Sequence, residues 1–209
     1  MYFIGVPGKK QLIYFDFITL KINILSKNIL SKKWGEYSEY VLEYTRKNGK
    51  VEIQHREIQD NGDGATILLY NLQQRTIILT RQFRLATLLN GNSDGMMIEC
   101  CAGLVEDESP EDAIIREVLE ETGYCIINPQ YLFDSFATPG AKTEKISFFI
   151  APYTPAMNTM NGGGNEDEQE EIEVLEMPFV EAFEMIVEGK IQDSKTIILL
   201  QYAKLNIFV

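Results

Sequence analysis

The fifteen residues Ser109 to Gly123, "SPEDAIIREVLEETG", constrain the fold of this chain more than any other segment. They carry a complete set of helix signals. Ser109 suits the N-cap, Pro110 the first helical position, and Glu111 and Asp112 the positive end of the helix dipole. Gly123 suits a left-handed terminator. At about 100° per residue, Ile114, Ile115, Val118 and Leu119 form one apolar stripe, and the acids Glu117, Glu120 and Glu121 are read on the opposite side. A helix with one apolar stripe has to lie on another element. The runs around it have the period of strands: "GATILLYN", "RTIILTRQFR" and "MMIECCAGL" before it, "YLFDSFATPG" and "KISFFIAPY" after it.

The remaining elements follow the same grammar. "YSEYVLEYTRKNGKVEIQHREIQ" reads as two strands around the hairpin signal Asn48-Gly49. "FITLKINIL" looks like a further strand, while "SKNILSKKWGE" shows no clear period. "NGGGNEDEQEEIEV" reads as an acidic loop entering a strand. "PFVEAFEMIVEGK" and "DSKTIILLQYAKL", the latter capped by Asp193, read as two more helices. Strands alternating with a few helices indicate an α/β or α+β protein with a β-rich amino-terminal part. A formal net charge of −12 argues against sequence-independent nucleic-acid binding, which needs a basic footprint. An acidic protein acting on a phosphate substrate would need a divalent cation to bridge the like charges. Cys100, Cys101 and Cys125 have no metal-ligand spacing and are read as small buried apolar residues of a reduced, cytoplasmic protein. On a strand, Cys100 and Cys101 should face opposite sides. No window suits a membrane span or a signal peptide.

Three glutamates within five residues have two explanations: a solvated helix face, or a cation held by oxygen ligands one turn apart. The spacing around them favours the second. Gly103 is followed by four residues, Glu108, seven residues, and then Arg116-Glu117-Val118-Leu119-Glu120-Glu121-Thr122-Gly123-Tyr124. This resembles the Nudix box, with one residue fewer between the glycine and the first glutamate. Beyond the box, "GATILLYN", "RQFR", "IECCAGLVEDE", "PGAKTE", "GGGNEDE", "EVLEMPFVEAFEMI" and "KTIILL" resemble the GDP-mannose hydrolases of the Nudix family over residues 35 to 205, shortened loop included.

The resemblance implies an α/β/α sandwich with a mixed sheet over residues 61 to 209, its box at 103 to 124. An amino-terminal antiparallel β subdomain would occupy residues 18 to 60, exchanged between the subunits of a homodimer, and residues 1 to 17 would form an extension. It implies Mg²⁺, replaceable by Mn²⁺, held by Glu117, Glu121, Glu168 and the carbonyl of Ala102. Glu120 and Arg116 would assist and Glu168 would act as general base. Arg84, Glu144, Asp167 and Lys195 would contact substrate, whereas Arg81 would be a structural arginine. Trp34 and the stretch His55, Arg56 and Glu57 would reach the nucleotide from the partner subunit. The implied reaction cleaves GDP-mannose to GMP and mannose 1-phosphate. The alternatives are the same chemistry on ADP-ribose or another ADP-sugar, and a catalytically silent domain that binds a nucleotide sugar. The Gly162-Gly163-Gly164 run is read as the hinge of an acidic flap carrying Glu168.

Overall fold

The computed structural model describes residues 21–165 and 170–209, and the chain divides into two compact units that meet in sequence at Gln59 and Asp60. The amino-terminal unit is an antiparallel three-stranded sheet in the order β1-β2-β3, from β1 (Ile22–Ser31), β2 (Glu36–Thr45) and β3 (Val51–Asp60). The Asn48-Gly49 turn is where the sequence puts it. Gly49 takes a φ of +80°, its N–H donates to the Arg46 carbonyl, and the Asn48 side chain accepts from Lys50 N. Strand β1 runs on through Ser26–Ser31, a stretch whose basic residues hide the strand period because every position of β1 is exposed. The first residues of "FITLKINIL" and the extension 1 to 17 lie outside the described residues.

The second unit is built on a mixed sheet in the order β10-β5-β4-β9-β8. Its strands are β4 (Gly64–Asn71), β5 (Thr76–Phe83), β8 (Gln130–Phe136), β9 (Lys145–Pro152) and β10 (Glu173–Pro178). β4 and β9 are parallel and the other pairs along this path antiparallel. "MMIECCAGL" is two strands rather than one, because the chain changes neighbour at Cys100. β6 (Met96–Glu99) pairs with β5, and β7 (Cys101–Leu104) pairs with β4. A short helix α1 (Leu85–Leu89), too short to show a periodic pattern, follows Arg84.

Alternation along these strands feeds two cores. Leu68, Ile77, Leu79, Cys100, Phe148 and Ile150 pack against helices α3 (Phe179–Val187) and α4 (Ser194–Asn206) through Phe179, Ala182, Leu199 and Leu200. Ala65, Ile67, Leu69, Ile78, Cys101, Phe149 and Ala151 face the other way, onto Ile114 and Val118 of α2 (Pro110–Thr122). A sheet buried on both faces explains why β4 reads as a continuous apolar run. It also places the adjacent Cys100 and Cys101 in different cores, as their strand parity requires. Cys125 departs from expectation: it is exposed. All three thiols are free. Among the described residues no helix is long and apolar enough to cross a membrane.

Candidate active site

Helix α2 begins and ends as its sequence dictates. Ser109 Oγ accepts from Asp112 N at 3.1 Å, and Gly123 closes the helix in the left-handed conformation at φ +78°. The helix is rotated from the expected orientation, however. Its buried residues are Ala113, Ile114, Val118, Glu121 and Thr122, whereas Ile115 and Leu119 are only half-buried. Glu121 follows Val118 by three residues, which brings it within about 60° of that side chain around the helix axis. It therefore points inward, not away from the core. Glu121 is 2% exposed, and its Oε2 has no hydrogen-bond partner among the described residues. Burial pushes its carboxyl up to about 8. The Cys101 thiol and the Ala102 backbone N–H oppose that shift, and the charges of Glu117 and Glu170 add to it.

Glu117, one turn earlier, is largely buried as well. Burial raises its pKa, against the pull of Arg116. Its carboxyl lies over Gly103, where a Cβ would sit 2.0 Å from Glu117 Cδ. A side chain at position 103 would displace it, which is the physical need for glycine at the start of the box. Arg116 gathers three carboxylates. It donates to Glu108 Oε1 from Nη2 at 2.9 Å, and from Nη1 to Glu117 Oε1 at 2.9 Å and Glu120 Oε2 at 3.1 Å. Such a fork holds planar acceptors in fixed directions, as a lysine does not.

The three glycines are pinned to the end of this helix. Gly163 N donates to the Glu121 carbonyl at 2.9 Å and Gly164 N to that of Glu120 at 3.2 Å, so the triplet satisfies orphan carbonyls of the last turn. A Cβ on Gly162 would meet the Thr122 carbonyl carbon at 2.6 Å, in a backbone already at φ +65°. The run is therefore a close-approach surface, which corrects its reading as a free hinge. It also returns Glu170 to the box. Glu170 Oε2 accepts from Asn165 N at 3.2 Å, and the Glu170 charge acts on both Glu117 and Glu121.

The NUDIX domain model matches residues 60–198, and the model of the GDP-mannose pyrophosphatase NudK N-terminal domain matches residues 21–58. The chain belongs to the Nudix family. A GDP-mannose pyrophosphatase of Pectobacterium atrosepticum is 52% identical over 87% of this chain and 93% of its own length. Those of Klebsiella pneumoniae and an Enterobacter species are each 48% identical, over 88% and 90% of this chain and 92% and 98% of their own lengths.

In this Nudix hydrolase the donor set fits a hard divalent cation, of the kind the family generally uses. An orphaned, buried carboxylate oxygen stands one turn from a second inward carboxylate, with all-oxygen chemistry. Among the described residues no three acidic, histidine or cysteine side chains already converge as a ligand cluster. Arg116 instead occupies oxygens of Glu117 and Glu120. Ala102 lies on β7, opposite Thr66. Asp167 and Glu168 lie outside the described residues.

The other candidates lie outside this carboxylate group. Glu144 lies near Gly64 and Gly103: a Cβ on Gly64 would be 3.9 Å from its Oε1 and 3.4 Å from the Gly103 carbonyl. Arg84 and Lys195 share one buried partner, Glu99, at 2.8 and 3.7 Å. Arg81 pairs with Glu173 at 3.2 Å and Asp94 at 3.4 Å, as befits a structural arginine between strands. The amino-terminal unit carries the remainder. Trp34 is 74% exposed. His55 Nδ1 lies 2.9 Å from Glu39 Oε1, Glu57 accepts from Tyr37, and Arg56 donates to Gln54 and to the His55 carbonyl.

Sequence reasoning missed Glu99 and Glu170. Glu99 had a signal, an acid inside the apolar run "MMIECC", which is costly unless paired. Glu170 had none, since nothing in "EDEQEE" selects one acid over its neighbours.

Proposed function

We propose that this Nudix hydrolase cleaves the diphosphate of a nucleoside diphosphate sugar in a Mg²⁺-dependent reaction, GDP-mannose giving GMP and mannose 1-phosphate. The observation that carries the reading is Glu121. A carboxylate buried beside a second one, with an oxygen left unpartnered, is costly to keep for stability alone and fits a cation ligand. The relatives named GDP-mannose pyrophosphatase, at close to half identity over nearly their whole length, support the substrate.

Glu117, Glu121, the Ala102 carbonyl and Glu168 would hold Mg²⁺ or Mn²⁺. The cation's contribution, once bound, is to neutralise the diphosphate and polarise its oxygens. The protein's own groups do the rest. Arg116 keeps Glu117 and Glu120 in place. Arg84 and Lys195 attract the substrate phosphates, and Glu144 and Asp167 contact the remainder. Glu168 accepts the proton of the attacking water.

The protein acts as a cytoplasmic homodimer in this reading, with Trp34, His55, Arg56 and Glu57 presented to the nucleotide of the partner subunit. The exposed apolar residues Ile22, Ile24, Leu25, Ile29 and Leu30 of β1 support a second copy covering that strand. The test is product analysis with GDP-mannose and ADP-ribose at equal concentration. GMP and mannose 1-phosphate, formed only with Mg²⁺ or Mn²⁺ and at least about tenfold faster than AMP from ADP-ribose, is the expected outcome. Faster release of AMP would move the substrate to the ADP-sugars, and no turnover of either would leave a silent binding domain.

A further inference from the structure

Glu99 ends β6 at 5% exposure, and both its oxygens face cations. Arg84 Nε donates to Oε2 at 2.8 Å, and Lys195 Nζ lies 3.7 Å from Oε1. Arg84 uses only its Nε there, and its two Nη nitrogens make no hydrogen bond to a described residue. Its backbone is fixed too, Arg84 N donating to the Gly95 carbonyl at 2.7 Å.

Lys195 is held from the other side. Its Nζ is 2.7 Å from Asp193 Oδ1, while Asp193 Oδ2 accepts from both Thr196 N at 2.9 Å and Thr196 Oγ1 at 2.8 Å. Thr196 Oγ1 in turn accepts from Cys100 N at 2.6 Å, tying the start of α4 to the strand that carries Glu99. Burial would lower the lysine pKa, but the charges of Asp193 and Glu99 outweigh it and leave a net rise. The ammonium stays charged.

We propose that Glu99 is a positioning residue: it holds Arg84 by one edge and Lys195 by its charge, so that the Nη fork of Arg84 and the ammonium of Lys195 form a preset seat for a diphosphate. The inference rests on the reading that the substrate is a diphosphate. A rotatable arginine would lose side-chain freedom on binding, and Glu99 removes that loss beforehand. Net charge predicts the opposite sign. If Glu99 merely diluted the positive field, its removal would strengthen anion binding. That difference makes the role testable.

The probe is inorganic pyrophosphate titrated calorimetrically into the full-length protein in chelator, alongside steady-state kinetics on GDP-mannose with Mg²⁺. Glu99→Gln is expected to weaken pyrophosphate binding about five- to tenfold and raise KM by a similar factor, with kcat within about threefold. In an Arg84→Ala background the same change should alter pyrophosphate affinity by less than about twofold. Equal or tighter binding in Glu99→Gln overturns the proposal, as do additive effects with Arg84→Ala or a wild type that does not bind pyrophosphate. Should Glu99→Gln not fold, Glu99→Asp decides, since it keeps the charge but withdraws it by one methylene: weaker binding supports positioning and unchanged binding overturns it. If GDP-mannose is not turned over while the pyrophosphate results stand, the substrate reading fails and the seat remains.

Discussion

Glu99 and Glu121 are two buried glutamates of one unit with opposite surroundings. Glu99 has a cation against each oxygen; Glu121 has one oxygen with no partner among the described residues and two further acids acting on it. Burying a carboxylate costs several kcal/mol unless something compensates. In Glu99 the protein supplies the compensation itself, so the charge is spent on geometry. In Glu121 the compensation is left to come from outside, which is what a ligand position requires. Burial of an acid therefore does not by itself mark a site; the state of its oxygens does.

Substitution of each glutamate should separate these roles. The largest effect is expected at Glu121. Glu121→Gln keeps the shape and should lower kcat by about two or more orders of magnitude, read as GMP release. Gly103→Ala comes next. Its Cβ would strike the movable end of Glu117, so the melting temperature should shift by less than about 2 °C while kcat falls roughly tenfold or more. A large loss of stability with no change in Mn²⁺ affinity would show that Gly103 serves the fold alone.

Gly162→Ala tests whether the glycine run is a packed cap. A Cβ there meets backbone, which cannot move aside, so a loss of about 2 kcal/mol or more in chemical denaturation is expected. A neutral change would restore the free-hinge reading.

The smallest effect is on stability against pH. The folded pKa of Glu121, about 8, lies above its ordinary 4.5. The metal-free protein therefore holds a proton that the unfolded chain has lost, and its stability falls as pH rises from about 5 through 8. Glu121→Gln should flatten that slope and raise the melting temperature in chelator at pH 9. An unchanged slope would mean that Glu121 is not the group responsible.

Much of this was legible in the sequence, for identifiable reasons. Caps and terminators are local, so Ser109, Pro110, Gly123 and Asp193 mark the helices where they stand. Strand parity is local as well, so the division of Cys100 and Cys101 between two cores followed from their adjacency. The spacing of the box pointed to the carboxylates. The rotation of α2 was not legible, because Ile115 and Leu119 are as apolar as the residues that are buried, and only the sheet beneath selects among them. Nor was the packing of the glycine run, which depends on how closely a distant loop approaches the helix end. The break at Cys100 is invisible in composition, since both halves are apolar and only the change of neighbour separates them.

A cation taken up at the unpartnered oxygen of Glu121 would displace the proton that burial keeps there. Titration of Mn²⁺ into the metal-free protein at pH 7, by calorimetry in two buffers of different ionisation enthalpy, tests it most directly. The wild type should bind with release of close to one proton, because a carboxyl with a pKa near 8 is mostly protonated at pH 7. Glu121→Gln should bind at least about tenfold more weakly and release none. Equal affinity in both proteins, with the same proton count, would contradict the claim.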